Sequence, residues 1–274
     1  MVKYIICCAD IHIRNFKRLN EYKVQLKKFI DDCNAFVNEK GKENVRIVIA
    51  GDLLHNKLDI SGEGYAVASQ FLKALDKICT TYVIGGNHDM NMSNLSRLDP
   101  LSVIFDMCNF EQTYFVDKEL DYESGCLVDE NITWCLYSSF DSFAKPNIDE
   151  AKIKNPNNLC IGLFHGEIKS AKTDAGYISE NGINSNHFSG LDFCICGHIH
   201  KRQKINENGT TLLYVGSLIQ QDHGENINNH GYVILDTEML EYTEYNIQND
   251  NAFYTFSINS IDDIDKNVEK LLNY

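Results

Sequence analysis

The chain has 274 residues, of which 43% are hydrophobic and 23% charged, and its 39 acidic against 25 basic side chains give a formal net charge of −14. That length can bury a substantial core and suits one large domain with a small addition, and no apolar stretch reaches the roughly 20 residues needed to span a bilayer. The acid excess argues against a protein that grips polyanions through general surface charge. The start Met1-Val2-Lys3-Tyr4 enters a strand rather than a secretory leader and predicts a cytoplasmic protein.

Short apolar runs at 4–9, 46–50, 81–84, 160–164 and 193–196 are rich in Ile, Val, Cys and aromatic residues and are bounded by Gly or Asp, the pattern of buried strands. Between the first three lie apolar stripes at steps of three and four, which predict amphipathic helices. One uses Leu19, Tyr22, Leu26, Phe29, Cys33 and Val37, the other Tyr65, Ala68, Phe71, Leu72, Leu75 and Ile78. This alternation predicts a mainly parallel sheet. Residues 99–158 are less regular, with strands expected near 111–116 and 132–138. Further on, 203–205 and 211–215 flank Asn208-Gly209, a dipeptide that favours a hairpin turn. The polar run 246–251 divides a main domain, 1–247, from an appendage, 248–274, with a strand expected at 253–257 and a helix from about 261 to 272. Of the ten cysteines, Cys7, Cys8, Cys160, Cys194 and Cys196 fall inside the predicted strands and are read as buried thiols, not disulfides.

Each strand is followed by a polar motif: Asp10-x-His12, Gly51-Asp52-x-x-His55, Gly86-Asn87-His88-Asp89, His165-Gly166 and Gly197-His198-x-His200. Strands that end at one edge of an α/β fold bring their following loops together. Asp, Asn and His are donors suited to Mn²⁺, Fe²⁺, Zn²⁺ or Mg²⁺, and their number suffices for two adjacent ions. Asp10, His12 and His200 are expected on the first ion, Asn87, His165 and His198 on the second, and Asp52 as the carboxylate that bridges them. The chemistry expected of such a pair is attack on a phosphate ester by a hydroxide held between the ions. His88, next to a ligand, is the candidate proton donor to the leaving oxygen, with Asp89 expected to orient its ring. His55 is expected beside the substrate, and His187, His223 and His230 have no ligand-like spacing and are read as structural.

With these residues in view, the chain resembles the calcineurin-like metallophosphoesterase superfamily over about residues 3–236, and within it the DNA-repair nucleases of the SbcD and meiotic-recombination-eleven type, especially phage and large-virus forms. The pieces that carry the finer likeness are the stretches 9–14, 51–55, 94–102 and 214–225, and above all His55. The resemblance implies an α/β four-layer αββα sandwich of two mixed β-sheets flanked by helices. It also implies a nuclease domain over 1–247, a shortened capping element over 248–274, and Mn²⁺-dependent exonuclease and endonuclease activity on DNA, in host cytoplasm if the protein is viral. Arg14 and Arg97 would contact substrate, an SbcC-type coiled-coil ATPase would be a partner, and a homodimer would form through the early helices. Two other readings stay open: a phosphodiesterase or phosphatase acting on a small or cyclic nucleotide, which the acidic composition favours, and a non-catalytic subunit, which the complete ligand set opposes.

Overall fold

The β-branched and aromatic runs form strands and the periodic stripes form helices in the computed structural model, which describes residues 1–91, 94, 96–207 and 209–272. The first half runs β1 (Tyr4–Cys8), α1 (Leu19–Lys40), β2 (Val45–Ala50), α2 (Gly62–Asp76), β3 (Thr81–Ile84), α3 (Pro100–Met107), β4 (Thr113–Phe115) and α4 (Val116–Glu119). Strands β1 to β4 pair in parallel, as the alternation predicts. The helices begin where capping chemistry allows. Ser61 accepts from the Gly64 amide at the start of α2, and Asp99 accepts from Ser102 N–H ahead of Pro100 at the start of α3.

The second half supplies β5 (Gly125–Asp129), β6 (Ile132–Tyr137), α5 (Ile148–Lys154), β7 (Leu159–His165), β8 (Phe193–Gly197), β9 (Gln203–Glu207) and β10 (Thr210–Tyr214). These strands form a second six-stranded sheet in the order β5-β6-β7-β8-β10-β9, parallel at its centre and antiparallel at both edges. The chain then returns to the first sheet as β11 (Gly231–Asp236), antiparallel beside β1, and β12 (Glu241–Asn246), antiparallel beside β11, which complete the order β12-β11-β1-β2-β3-β4. Helix α6 (Asp262–Leu272) ends the described chain. Both sheets are therefore mixed.

Alternation along the strands divides the core into layers. Val45, Ile47 and Ile49 of β2 face α1 and α2, while Val48 and Ala50 face the other sheet. Trp134 and Leu136 meet them from β6, with the Trp134 ring 5.0 Å from that of Tyr82. On the far side, Cys135, Tyr137, Cys160 and Cys194 pack under Ile148 of α5 and under Ala171 and Phe188. The result is a four-layer α/β/β/α sandwich. All ten cysteines are free, nine of them buried, and Cys194 and Cys196 share one face with their sulfurs 3.7 Å apart. Among the described residues no helix is long and apolar enough to cross a membrane.

Two expectations about local structure change. Residues 253–257 form no strand, because Phe253 is claimed by side chains instead. Its N–H donates to Gln220 Oε1 and its carbonyl accepts from Gln220 Nε2, at 2.7 and 3.1 Å, and its ring lies 4.6 Å from the Arg18 guanidinium. Asn249 likewise bonds Gln25 and Glu21 of α1. The hairpin of β9 and β10 is present and Gly209 has φ +82°, but Asn208 lies outside the described residues.

Candidate metal centre

The five motifs leave the C-terminal ends of β1, β2, β3, β7 and β8, three neighbours in one sheet and two in the other. Face-to-face packing brings these ends into contact, and glycine is required where they touch. A Cβ on Gly197 would strike the Ala50 carbonyl, and one on Gly86 would strike the Asp52 carboxylate and amide. Asp10, His12, Asp52 and His198 all have left-handed backbone, with φ of 50, 52, 52 and 92°. Non-glycine residues rarely adopt it, and it persists where surrounding bonds dictate it. Here Asp10 N–H donates to Gly51 O, His12 N–H to Asp52 O and His55 N–H to Ile13 O, at 2.9–3.1 Å, zipping the first two loops together.

Two ligand groups result. Asp10, His12 and His200 offer donor atoms within 4.8 Å of one another, and so do Asp52, His165 and His198. Asn87 Oδ1 joins the second group, 2.8 Å from His198 Nδ1 and 3.3 Å from His165 Nε2. Asp52 Oδ2 stands between the groups, 3.2 Å from His165 Nε2 and 3.6 Å from His12 Nε2, the position a bridging oxygen needs. His12 Nε2 and His200 Nε2 face each other at 3.0 Å. Two imidazole nitrogens can share at most one proton in that gap, whereas a cation accepts both lone pairs. The donor set therefore fits a pair of divalent ions.

Beside this centre lies a pair of stacked histidine rings, His55 and His88, with centroids 5.2 Å apart and planes 18° from parallel. His88 Nδ1 is 2.7 Å from the His55 carbonyl oxygen, to which it must donate. His55 Nε2 is 3.0 Å from Arg14 Nη1 and must accept, because guanidinium has only donors. Burial, then the nearby Arg14 and His88 charges, hold His55 down at about 4, so it stays neutral.

The role expected for Asp89 is overturned. Its carboxyl is buried and accepts from Leu53, Leu54 and Gly86 N–H at 2.8–3.2 Å. These amides lie in two site loops with no ladder partner, and buried donors must be paired. The His55 carbonyl orients His88 instead. Arg97 also falls apart from the group: it is exposed and lines a separate cavity with Tyr122 and Phe140. His187 and His230 are tied to Phe143 O and Asn226 O, as structural histidines would be.

Residues 3–239 match the family described as the calcineurin-like phosphoesterase superfamily domain. The chain belongs to that superfamily. Among its relatives, R555 of Acanthamoeba polyphaga mimivirus is 37% identical over 268 residues, 94% of this chain but only 19% of R555. The chain thus spans about a fifth of that protein. The protein 244L of Invertebrate iridescent virus 6, named as a phosphoesterase, is 31% identical over 231 residues, 81% of this chain and 76% of 244L. An archaeal phosphodiesterase of solved structure aligns over 88% of this chain and 98% of its own, at 14% identity and a TM-score of 0.43.

In this member of the superfamily the protein charges already favour cations at the centre. Burial would raise Asp52, but the His165 and His12 imidazoles outweigh it and hold the carboxyl well below its usual range. Burial would likewise lower His165, yet Asp52 and Asp10 lift it to about 10. Ions entering this site would take the place of that proton, so metal uptake should release acid. Burial raises Asp10 to about 6, against the pull of His200 and His165. Ligand orientation comes from outside the donor set: His165 Nδ1 bonds Ala50 O at 2.8 Å, His198 N–H donates to Asp10 at 3.0 Å, and His88 N–H donates to Asp52 Oδ1 at 2.8 Å.

Asp117, at the start of α4, has no motif to announce it. It is fully buried, accepts from Gly85 N–H at 2.8 Å and from the Ser138 hydroxyl at 2.6 Å, and so anchors the loop that carries Asn87 and His88. Burial lifts its carboxyl to about 6 against those two bonds. A carboxyl raised in the folded state holds a proton there that the unfolded chain has released, so stability falls between pH 4 and pH 6. Asp117→Asn keeps one acceptor for Gly85 and can donate to Ser138. It should flatten that interval and gain up to about 3 kcal/mol relative to the wild type near pH 7. Urea unfolding at pH 4.5 and pH 7 checks this; an unchanged difference between the two proteins would show that Asp117 titrates normally.

Proposed function

We propose that this phosphoesterase is a two-metal DNA nuclease that cuts phosphodiester bonds, with exonuclease and endonuclease action in recombination, repair or replication. The observation that carries the reading is a cleft of about 860 Å³ that shares Arg14 with the histidine pair and continues along Phe16, Lys17, Arg18, Gln221 and Phe253. Glu21 also lines this cleft and takes the Arg18 guanidinium in a two-pronged ion pair at 2.6 Å, which leaves Arg14 and Lys17 as its cations; in a chain of net charge −14 these two, beside the Phe16 and Phe253 rings, suit a long polyanion with stacking bases better than a small ester. The same acid excess favours the second reading, a phosphodiesterase of small nucleotides. A coiled-coil ATPase that adds DNA-gripping surface would reconcile the charge with the first reading.

Two divalent ions, Mn²⁺ being the expected one, would supply Lewis-acid charge to the phosphoryl oxygens and a water made nucleophilic near neutral pH. Asp10, His12 and His200 would hold one, Asn87, His165 and His198 the other, with Asp52 shared. His88 has Nδ1–H committed to the His55 carbonyl, so the proton it can give to the leaving oxygen is on Nε2, and it acts as acid in its imidazolium form. Arg14, held by His55 and within 3.4 Å of Gln221, is placed to meet a phosphate next to the scissile bond.

The test is cleavage of end-labelled single- and double-stranded DNA with Mn²⁺, Mg²⁺ or EDTA, beside hydrolysis of bis-p-nitrophenyl phosphate. Mn²⁺-dependent DNA cleavage is expected. Turnover of the small diester with intact DNA would favour the second reading.

A further inference from the structure

One carboxylate outside the donor set reaches into it. Glu225 lies in the loop after β10, with its side chain 9% exposed, and its two oxygens have different tasks. Oε1 is 2.5 Å from His200 Nδ1, and Oε2 accepts from the Gln221 backbone N–H at 2.7 Å. His230 does not compete for either oxygen. It stands 4.0 Å from Oε2, with Nε2 committed to Asn226 O at 2.6 Å. Gln221 in turn points Nε2 at the Asp10 and Ile11 carbonyls, at 3.4 and 3.2 Å, and touches Arg14. The loop that carries Glu225 therefore abuts the first ligand group from behind.

We propose that Glu225 is a positioning residue that fixes the His200 tautomer and thereby sets the affinity of the first ion site separately from the second. The argument is one of donors and acceptors. A carboxylate only accepts, so His200 must place its proton on Nδ1, which leaves the Nε2 lone pair facing His12 Nε2, 3.0 Å away, where the first ion belongs. Ligand histidines are commonly oriented this way, and loss of the orienting group typically costs 10–100-fold in metal affinity. The second group has a different anchor, since His165 Nδ1 rests on the Ala50 carbonyl. The two sites should therefore respond independently to a change at Glu225.

Glu225→Gln separates this role from simple loop support. The Gln221 N–H can only donate, so the amide oxygen must serve it, and the amide nitrogen is left facing His200 Nδ1. An NH₂ group there donates, which drives the His200 proton onto Nε2 and blocks the lone pair meant for the ion. Loop support survives this substitution; tautomer control does not.

The proposal rests on the two-ion reading, and Mn²⁺ titration by electron paramagnetic resonance on the whole chain tests both. The wild type should take up two ions. Glu225→Gln should weaken one of them about 10-fold or more and leave the other within about 2-fold, with unchanged circular dichroism. Glu225→Asp, which keeps both acceptor oxygens on a shorter stem, should recover part of the loss and serves if the Gln variant does not fold. Two ions of wild-type affinity in Glu225→Gln would overturn the proposal, as would equal weakening of both sites in either variant, which marks loop support alone. A wild type that takes up fewer than two ions would overturn the two-ion reading and this inference with it.

Discussion

His88→Ala is expected to lower turnover of DNA by about 10²–10⁴-fold, or roughly 3–5 kcal/mol of transition-state stabilisation, while two divalent ions remain bound. In the proposed mechanism the side chain gives the proton, whereas the backbone of the same residue supports the candidate metal centre, because its N–H donates to Asp52 Oδ1 at 2.8 Å. Alanine keeps that N–H, so the shared carboxylate stays in place. The loss should be smaller with bis-p-nitrophenyl phosphate, whose leaving group departs without a proton, than with DNA, whose leaving alkoxide needs one. Parallel measurement of kcat on both substrates and of Mn²⁺ stoichiometry checks each part. Loss of an ion along with turnover would instead make His88 a ligand, a role open to it because His12, His55 and His88 also gather donor atoms within 4.8 Å.

The residues that converge on the candidate centre were legible because they obey a local rule. A buried strand must end, and in this fold its end opens on the site, so an apolar run followed at once by Asp, Asn or His reveals both the strand and the ligand. Asp10, Asp52, Asn87, His165, His198 and His200 could be read this way. The central strands β1, β2, β3, β7 and β8 followed from the same runs to within a residue or two. Their parallel order in the first half followed from the helices between them.

What could not be read depends on partners distant in sequence. Asp89 sits beside His88 in the chain, which suggested a pair, yet three backbone amides claim the carboxyl and the His55 carbonyl takes His88 Nδ1. Asp117 acts on Gly85 from 32 residues away with no motif to mark it, and Glu225, though it ends the stretch 214–225 that carries part of the likeness, meets His200 from 25 residues away with no spacing that reveals the contact. Strand β12, Glu-Tyr-Thr-Glu-Tyr-Asn, is an exposed edge with mostly polar side chains and carries no apolar run. Phe253 has the composition of a strand residue, but Gln220 occupies its backbone groups before any strand can.

Asp52→Ala should remove both ions, not one, because a single oxygen serves both groups: Oδ2 stands 3.2 Å from His165 Nε2 and 3.6 Å from His12 Nε2. The affinity loss should exceed the roughly 100-fold expected at most for an orienting residue, and turnover should fall to background. The same substitution has a second signature in protein stripped of metal with EDTA. There Asp52 and His165 form a buried ion pair, and removal of one partner of such a pair costs on the order of 3–5 kcal/mol. The sign of its pH dependence follows from both groups. His165, raised to about 10, contributes stability fully below the ordinary imidazole pKa near 6.5 and loses it as pH rises towards 10. Asp52, held low, contributes above about pH 4 and loses its share in acid. The stability gap between wild type and Asp52→Ala should therefore be widest near pH 5–6 and narrow by pH 9.5. Urea unfolding of both stripped proteins at those two pH values decides it, since a gap that stays constant would mean that His165 is neutral beside Asp52 and that metal uptake releases no proton from it.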